Sequence, residues 1–171
     1  MRLYPLMQCA ATDDCRSLQQ GKRQMSMTSQ SGLTGLQQLR ELAASGRKIA
    51  IGETLGFRLA EVEEGRAVFE SKPGRHLYSP IGTVHGGYAA TLLDSACACA
   101  VHSQLGPTQG CTTLELKVAY HKAITADTGL VRADGQIVKF GRRAAFAEAR
   151  LTDAEGHLYA TATSTLLVFE R

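Results

Sequence analysis

At 171 residues, the chain has the length of one ordinary domain and is long enough to bury its own core. Its 44% hydrophobic and 20% charged residues are typical of a globular protein, and no apolar run approaches the ~20 residues that span a bilayer. We therefore expect no membrane association. The formal charge of +3 is small and dispersed, which argues against a dedicated nucleic-acid-binding protein but suits an anionic small-molecule substrate.

The first 30 residues are rich in Gln, Ser and Met and show no apolar periodicity, so we expect a flexible N-terminal extension before a single domain at residues 31–171. The domain is predicted to begin with a short amphipathic helix that Gly46 closes, because leucines recur at three-residue steps: Leu33, Leu36, Leu39 and Leu42. Residues 55–62 and 66–71 are predicted to be two strands joined by a hairpin turn.

A long helix is predicted over residues 85–102. The segment is free of proline, apolar nearly all round and closed by Gly106-Pro107. A helix of ~18 residues is ~27 Å long. Because its surface is apolar on nearly all sides, we expect it to be buried on nearly all sides.

Four strands are predicted after this helix, with a turn at residues 153–156 before the last: residues 113–120, 130–140, 144–152 and 158–169. Alternation in the first of them predicts one face made of Leu114, Leu116, Val118 and Tyr120. The close spacing of the last strands indicates antiparallel pairing rather than βαβ repeats. The predicted fold is therefore of the α+β class, an antiparallel β-sheet wrapped around a long central α-helix, with an extra N-terminal helix.

Asp94 is the one carboxylate in the predicted long helix between Gly86 and Val101. Burial of an unpaired charge costs several kcal/mol, and Asp is a poor residue for a helix interior. Such violations of local preference concentrate at functional sites. A structural carboxylate that accepts hydrogen bonds from a neighbouring strand, or pairs with a cation across a subunit contact, explains the position equally well, and the residues leave both interpretations open.

Gly86 and Gly87 lie where a loop becomes this helix. The first N–H groups of a helix lack internal partners and form its positive end, so they can stabilise a carbonyl oxygen that gains negative charge. Glycine also lets a substrate approach the backbone closely, although close helix–sheet packing is the alternative explanation. Asp94 lies ~10 Å further along the same helix. If the amides and the carboxylate act on one carbon atom, they must come from different subunits.

The five cysteines predict a reducing compartment. Their number is odd, and no spacing resembles a disulfide framework or a zinc site, so we expect no bound metal. The start of the sequence also lacks the charged and then apolar regions of a secretory signal. Together these features indicate a cytoplasmic protein whose cysteines serve as small buried residues.

Residues 79–94, Ser-Pro-Ile-Gly-Thr-Val-His-Gly-Gly-Tyr-Ala-Ala-Thr-Leu-Leu-Asp, resemble the central motif of hotdog-fold acyl-CoA thioesterases of the phenylacetate-degradation (PaaI-like) type. The resemblance extends over residues 55–169 and includes Thr113-Leu-Glu-Leu-Lys-Val and Gly141-Arg142-Arg143. It implies a hotdog fold and hydrolysis of an acyl- or aryl-CoA, with coenzyme A part of the substrate and no cofactor. It also implies a homodimer or homotetramer whose active site lies at a subunit interface.

The same resemblance implies a role for each matching residue. Asp94 is the nucleophile or the general base that activates water, and the Gly86 N–H polarises the thioester carbonyl. His85 shapes the start of the helix through hydrogen bonding rather than acting as the main base. Thr113 orients the attacking water or the carboxylate, and Thr112 competes for this role because the preceding loop leaves a one-residue uncertainty.

The remaining site residues are predicted to contact the substrate. Ser79 stands where the family usually has Asn, and its shorter side chain offers one donor instead of two. Gly87 lies beside Gly86, and Gly141, Arg142 and Arg143 are the candidates for the coenzyme A phosphates, because Arg presents planar, paired donors. A solvated turn explains these arginines nearly as well. A non-catalytic acyl-CoA-binding or sensing protein is the main alternative function, and a hotdog dehydratase ranks last.

Overall fold

The computed structural model describes residues 32–171, so the predicted N-terminal extension lies outside the described residues. Three helices and six strands follow one another in this order: α1 Gly35–Ala44, α2 Ala50–Leu55, β1 Phe57–Glu63, β2 Arg66–Ser71, α3 Gly86–His102, β3 Gln109–Tyr120, β4 Val131–Phe140, β5 Ala144–Asp153 and β6 Leu158–Glu170. Short 3₁₀ turns occur at Arg75–Leu77 and Ala126–Thr128. No helix in this part of the chain is long and apolar enough to cross a membrane.

The six strands form one sheet in the order β1-β2-β4-β5-β6-β3, and every neighbouring pair is antiparallel. Helix α3 packs across one face of this sheet and contacts all six strands. Small residues let α3 approach the sheet closely. At Gly135 of β4, for example, a Cβ would lie only 2.4 Å from the backbone of Ala96, so a larger residue would clash with the helix. The predicted α+β fold, a sheet around a central helix with an extra helix before it, is confirmed.

The segment before β1 differs from the prediction. Leu55 is the last residue of α2 rather than the first residue of a strand, and Gly56 ends this helix with a φ of 76°. Six residues are too few for a helical period to emerge from the sequence, and Gly52 further weakens helix propensity. Strand β1 therefore begins at Phe57.

Strand β3 also departs from the prediction in a way that affects the site. It begins at Gln109, and its pairing with β6 shifts between Thr113 and Glu115, which marks a β-bulge. One extra residue reverses the alternation of side chains. Leu116 consequently packs against the core whereas Leu114 is 62% exposed, so the predicted single face is wrong for Leu114.

Helix α1 docks against the end of α3 through a buried polar contact. The Gly35 N–H donates to the Leu105 carbonyl, and a Cβ at Gly35 would overlap the His102 carbonyl oxygen at 1.8 Å. His102 is buried, and its Nε2 donates to Gln38 Oε1 at 3.1 Å. Burial, helped by the positive charge of Arg171, lowers the pKa of His102 from 6.5 to about 4.

This buried histidine predicts a stability that declines with acidity. Because the pKa of His102 is lower in the folded than in the unfolded state, the free energy of unfolding falls as the pH drops from about 6.5 through 4. The full loss is about 3 kcal/mol. Urea unfolding of His102→Gln should depend less on pH over this window than wild type does. The control His76→Gln, at an exposed position, should keep the wild-type slope.

Candidate active site

Asp94 lies on a face of α3 that the sheet leaves partly open. The expectation of a helix buried on nearly all sides does not hold for one protomer, because one stripe of α3 is half-buried or exposed: Gly86, Gly87, Ala90, Thr91, Asp94, Ser95, Ala98 and Cys99. Asp94 Oδ1 accepts a hydrogen bond from Thr113 Oγ1 at 3.0 Å. No Lys, Arg or His of residues 32–171 forms an ion pair with this carboxylate. The expected bond from a neighbouring strand is therefore present, but the carboxylate keeps most of its acceptor capacity.

The bulge in β3 determines which of two threonines faces Asp94. Thr113 points toward α3, whereas Thr112 is exposed and lies in register with Leu167 of β6. Because the side-chain period of a strand is two, only one of two adjacent residues can face the helix. The structure brings Thr113 to Asp94 and does not bring Thr112 there.

The cysteines beside Asp94 are not available as nucleophiles. Burial, together with the negative charge of Asp94, raises the pKa of Cys97 to about 12. Burial, then Cys111 and Asp94, likewise raises the pKa of Cys99 to about 12. A thiol with such a pKa carries almost no thiolate at neutral pH. Asp94 is the one carboxylate on this face of α3.

The start of α3 is organised by its own side chains. His85 is the N-cap residue, and its Nδ1 accepts a hydrogen bond from the Gly87 N–H at 2.9 Å. The Gly86 carbonyl accepts a hydrogen bond from Tyr120 Oη at 3.0 Å. The Gly86 N–H has no hydrogen-bond partner in the described part of the chain. Of the two predicted glycine donors, Gly86 is free to bind a ligand atom and Gly87 is committed to His85.

A cavity of about 350 Å³ opens beside this free amide. Its lining is mostly apolar with a few polar groups: Ser79, Ile81, Thr83, Val84, His85, Gly86, Ala89, Tyr120, His121, Lys122, Ala123, Ile124, Tyr159 and Ala160. Ser79 holds the wall of this cavity, because its Oγ and its backbone N–H both donate to the Thr83 carbonyl, at 3.1 and 2.7 Å. The predicted Ser79, His85 and Gly86 therefore lie together.

Two aromatic residues of the cavity were not predicted from the sequence. Tyr120 ends β3, and Tyr159 lies on β6 with Lys122 Nζ 5.0 Å from its ring centre. Tyr159 Oη also donates to Asp153, which holds the turn before β6. Burial opposes ionisation of Asp153, but hydrogen bonds from His157 and Tyr159 outweigh it and lower its pKa to about 2. Tyr120 pairs with Ala160, the residue after Tyr159, in the register of β3 and β6. The two tyrosines therefore lie at the same end of the sheet.

One protomer does not bring the two halves of the predicted site together. Asp94 and Thr113 are absent from the lining of the cavity that contains Gly86. Strand β3 runs antiparallel to α3, so that Thr113 meets Asp94 while Tyr120 meets Gly86. Thr113 and Tyr120 are seven residues apart, roughly 20 Å along a strand. The carboxylate and the free amide therefore face different regions of the same protomer.

The predicted phosphate-binding residues occupy the turn between β4 and β5. The Gly141 N–H donates to the Ala144 carbonyl, and the Arg143 carbonyl accepts from the Val168 N–H. Arg142 and Arg143 are exposed and line a second cavity of about 580 Å³ with Gln109, Leu167, Val168, Phe169 and Glu170. Leu166 of β6 pairs with Ala145 of β5 on one side and with Thr113 of β3 on the other. The β4–β5 turn, which directly precedes Ala145, therefore lies at the Thr113 end of the sheet, away from Gly86.

Comparisons with known proteins agree with this architecture. A family model described as the thioesterase superfamily matches residues 81–160. A 1,4-dihydroxy-2-naphthoyl-CoA hydrolase of Listeria monocytogenes is 27% identical over 120 residues, which cover 70% of this chain and 96% of that protein. A thioesterase family protein from Silicibacter pomeroyi is 28% identical with a TM-score of 0.70, over 80% of this chain and 99% of that one.

The PaaI protein from the phenylacetic acid degradation operon of E. coli is also similar in structure. Its TM-score is 0.69 at 18% identity, over 80% of this chain and 96% of that chain, which supports the fold alone. The Listeria monocytogenes hydrolase, at 27% identity, and the Silicibacter pomeroyi thioesterase, at 28%, resemble the chain in sequence as well. Together with the sheet that surrounds α3, these matches show that the chain has the hotdog fold and is a thioester hydrolase, similar over residues 81–160 to the thioesterase superfamily.

Proposed function

We propose that this chain hydrolyses an acyl- or aryl-CoA thioester to the free acid and coenzyme A, with Asp94 as nucleophile or general base. The observation that carries the proposal is the hydrogen bond from Thr113 to Asp94 on the half-buried face of α3. Thr113 fixes one carboxylate oxygen and leaves the other for a water molecule or for the thioester carbon. A carboxylate oriented in this way by a third group has the arrangement of an activated base or nucleophile.

The free Gly86 N–H is proposed to polarise the thioester carbonyl. It lies at the positive end of α3 and opens into the cavity beside Tyr120. As water or Asp94 attacks the carbon, negative charge develops on the carbonyl oxygen, and a fixed donor stabilises that charge more than it stabilises the substrate. The C–S bond then breaks and coenzyme A leaves as the thiol. When water attacks, Asp94 takes the water proton and returns it to the departing sulfur; when Asp94 attacks, the thiolate takes a proton from solvent, and water then cleaves the acyl–Asp94 anhydride to release the free acid.

A second copy of the chain is proposed to complete the site. Strand β3 is at the edge of the sheet, with exposed Leu114 near its middle. Antiparallel pairing of two β3 strands about a two-fold axis between Leu116 and Lys117 would extend the sheet and place Thr113 of one copy opposite Tyr120 of the other. Asp94 of one protomer and Gly86 of its partner would then share one substrate in a homodimer, two of which can form a tetramer.

The arginines of the β4–β5 turn are proposed to bind coenzyme A phosphates. Arg142 and Arg143 are exposed at the Thr113 end of the sheet and line a cavity there. Guanidinium groups bind phosphate oxygens in pairs. Coenzyme A is a cytoplasmic substrate class, and the free thiols of Cys97, Cys99 and Cys111 suit a reducing compartment, so we propose a cytoplasmic location.

The experiment that tests this function is a thiol-release assay. Purified protein is mixed with short, medium, long and aromatic acyl-CoAs and a thiol-reactive dye, and we expect catalytic release of coenzyme A from at least one group. The alternative function, an acyl-CoA sensor, rests on Ser79, which replaces the Asn that is usual at this position. The Ser79 hydroxyl donates its hydrogen bond to the Thr83 carbonyl instead of to a substrate. Tight binding of acyl-CoA without thiol release would contradict hydrolysis and favour a sensor.

A further inference from the structure

One peptide group at the start of α3, the group between Gly86 and Gly87, is held at both of its polar ends. Tyr120 Oη donates to the carbonyl oxygen at 3.0 Å, and the N–H donates to His85 Nδ1 at 2.9 Å. Because a peptide group is planar, two such contacts restrict its rotation about the helix axis. They also restrict the preceding peptide group, which carries the unpaired Gly86 N–H.

The two glycines are required here for space. Neither has a positive φ, so their backbone conformation is open to other residues. A Cβ at Gly86 would lie 3.1 to 3.3 Å from Cζ, Oη and Cε1 of Tyr120. A Cβ at Gly87 would lie 2.9 Å from Nδ1 of His85. Each glycine thus makes room for the side chain that holds the shared peptide group.

We propose that Tyr120 is a positioning residue that aims the Gly86 N–H at the thioester carbonyl oxygen. The proposal rests on the proposed function, in which that N–H stabilises the developing negative charge. Tyr120 is 56% exposed and ends β3, so core packing does not explain its contact with Gly86. The Tyr120 hydroxyl donates a hydrogen bond to the Gly86 carbonyl from outside the helix.

His85 completes the arrangement from the other side. Since Nδ1 accepts the Gly87 N–H, the neutral imidazole carries its proton on Nε2. Tyr120 and His85 therefore act on opposite ends of one dipole, and loss of the Tyr120 bond loosens the amide without removing it. A misaligned oxyanion donor weakens transition-state binding more than substrate binding. The expected signature is a lower kcat at nearly constant KM.

Tyr120→Phe tests the proposal because it keeps the ring and removes the hydroxyl. We expect kcat to fall about 10-fold with KM changed less than about 2-fold, the size expected for one imperfect oxyanion donor. Tyr78→Phe is the matched control: its hydroxyl accepts a hydrogen bond from the Ala126 N–H and makes none to the peptide group between Gly86 and Gly87. This control should keep the wild-type kcat.

A second measurement follows the peptide group itself. Hydrogen exchange of the Gly87 amide, read by NMR, should be several-fold faster in Tyr120→Phe than in wild type and unchanged in Tyr78→Phe. Wild-type kcat in Tyr120→Phe, or an unchanged exchange rate of the Gly87 amide, would overturn the positioning role of Tyr120. The proposed function would still stand in that case, provided that the wild-type protein hydrolyses acyl-CoA. A wild-type protein that releases no thiol would overturn the proposed function, and the exchange experiment would still report on the contact.

Discussion

Asp94→Asn should lower kcat on a hydrolysed acyl-CoA by about 10³-fold, within the range for loss of a positioned acid or base. The amide has the size of the carboxylate and can still accept the hydrogen bond from Thr113, but it can neither take a proton from water nor attack the thioester carbon. Because Asp94 forms no ion pair within residues 32–171, the variant should fold and assemble as wild type does. Steady-state kinetics and size-exclusion chromatography measure both outcomes.

Asp127→Asn is the matched control for this change. Asp127 is an exposed aspartate in the 3₁₀ turn before β4, and the same substitution there should leave kcat unchanged. An Asp94→Asn enzyme within about 10-fold of wild type would contradict a role for this carboxylate as base or nucleophile, since even modest general-base catalysis contributes more.

Thr113→Val should lower kcat by about 10- to 100-fold, which corresponds to the roughly 1.5–3 kcal/mol of a hydrogen bond to a charged group. Valine has nearly the shape of threonine, so the change removes the donor to Asp94 with little change in packing. Thr113→Ser, which restores a hydroxyl, should recover most of the activity. The measurement is kcat and KM for both variants on the same acyl-CoA.

The adjacent threonine provides the control for Thr113. Thr112 is exposed and points away from α3, so Thr112→Val should retain wild-type kcat. An impaired Thr112→Val together with an active Thr113→Val would contradict the assigned position of the β-bulge, because it would mean that Thr112 and not Thr113 faces Asp94 in the active enzyme.

Much of the fold followed from local periodicity. The α3 segment has no proline over a full helix length, and the alanines of β5 alternate in the sequence as they alternate in burial. Asp94 stood out because a charge in an apolar helix violates a local preference. The distance between Asp94 and Gly86 on one helix also pointed to separate halves of the site, and the cavity beside Gly86 indeed excludes Asp94.

The features that the sequence did not reveal depend on tertiary contacts. The bulge near Leu114 inserts one residue into a regular alternation, and only its pairing with β6 exposes it. The half-buried stripe of α3 reflects where the sheet ends, which helix periodicity does not encode. Tyr120 is an ordinary strand residue until the antiparallel course of β3 along α3 brings its hydroxyl to Gly86.

Activity of mixed oligomers tests most directly whether Asp94 of one protomer works with Gly86 of another. Asp94→Asn is combined with Gly86→Ala, whose added methyl group would lie 3.1 Å from the Tyr120 ring and push its hydroxyl away from the Gly86 carbonyl. Asp94→Asn alone should be nearly inactive, and Gly86→Ala alone should keep about a tenth of wild-type activity or less, as expected for loss of the Tyr120 bond. After joint unfolding and refolding, a shared site predicts recovery of about a quarter of wild-type activity, because half of the dimers are mixed and each mixed dimer holds one intact site. Activity no greater than that of the two parents, with mixed dimers demonstrated by mass spectrometry, would contradict a site built from two protomers.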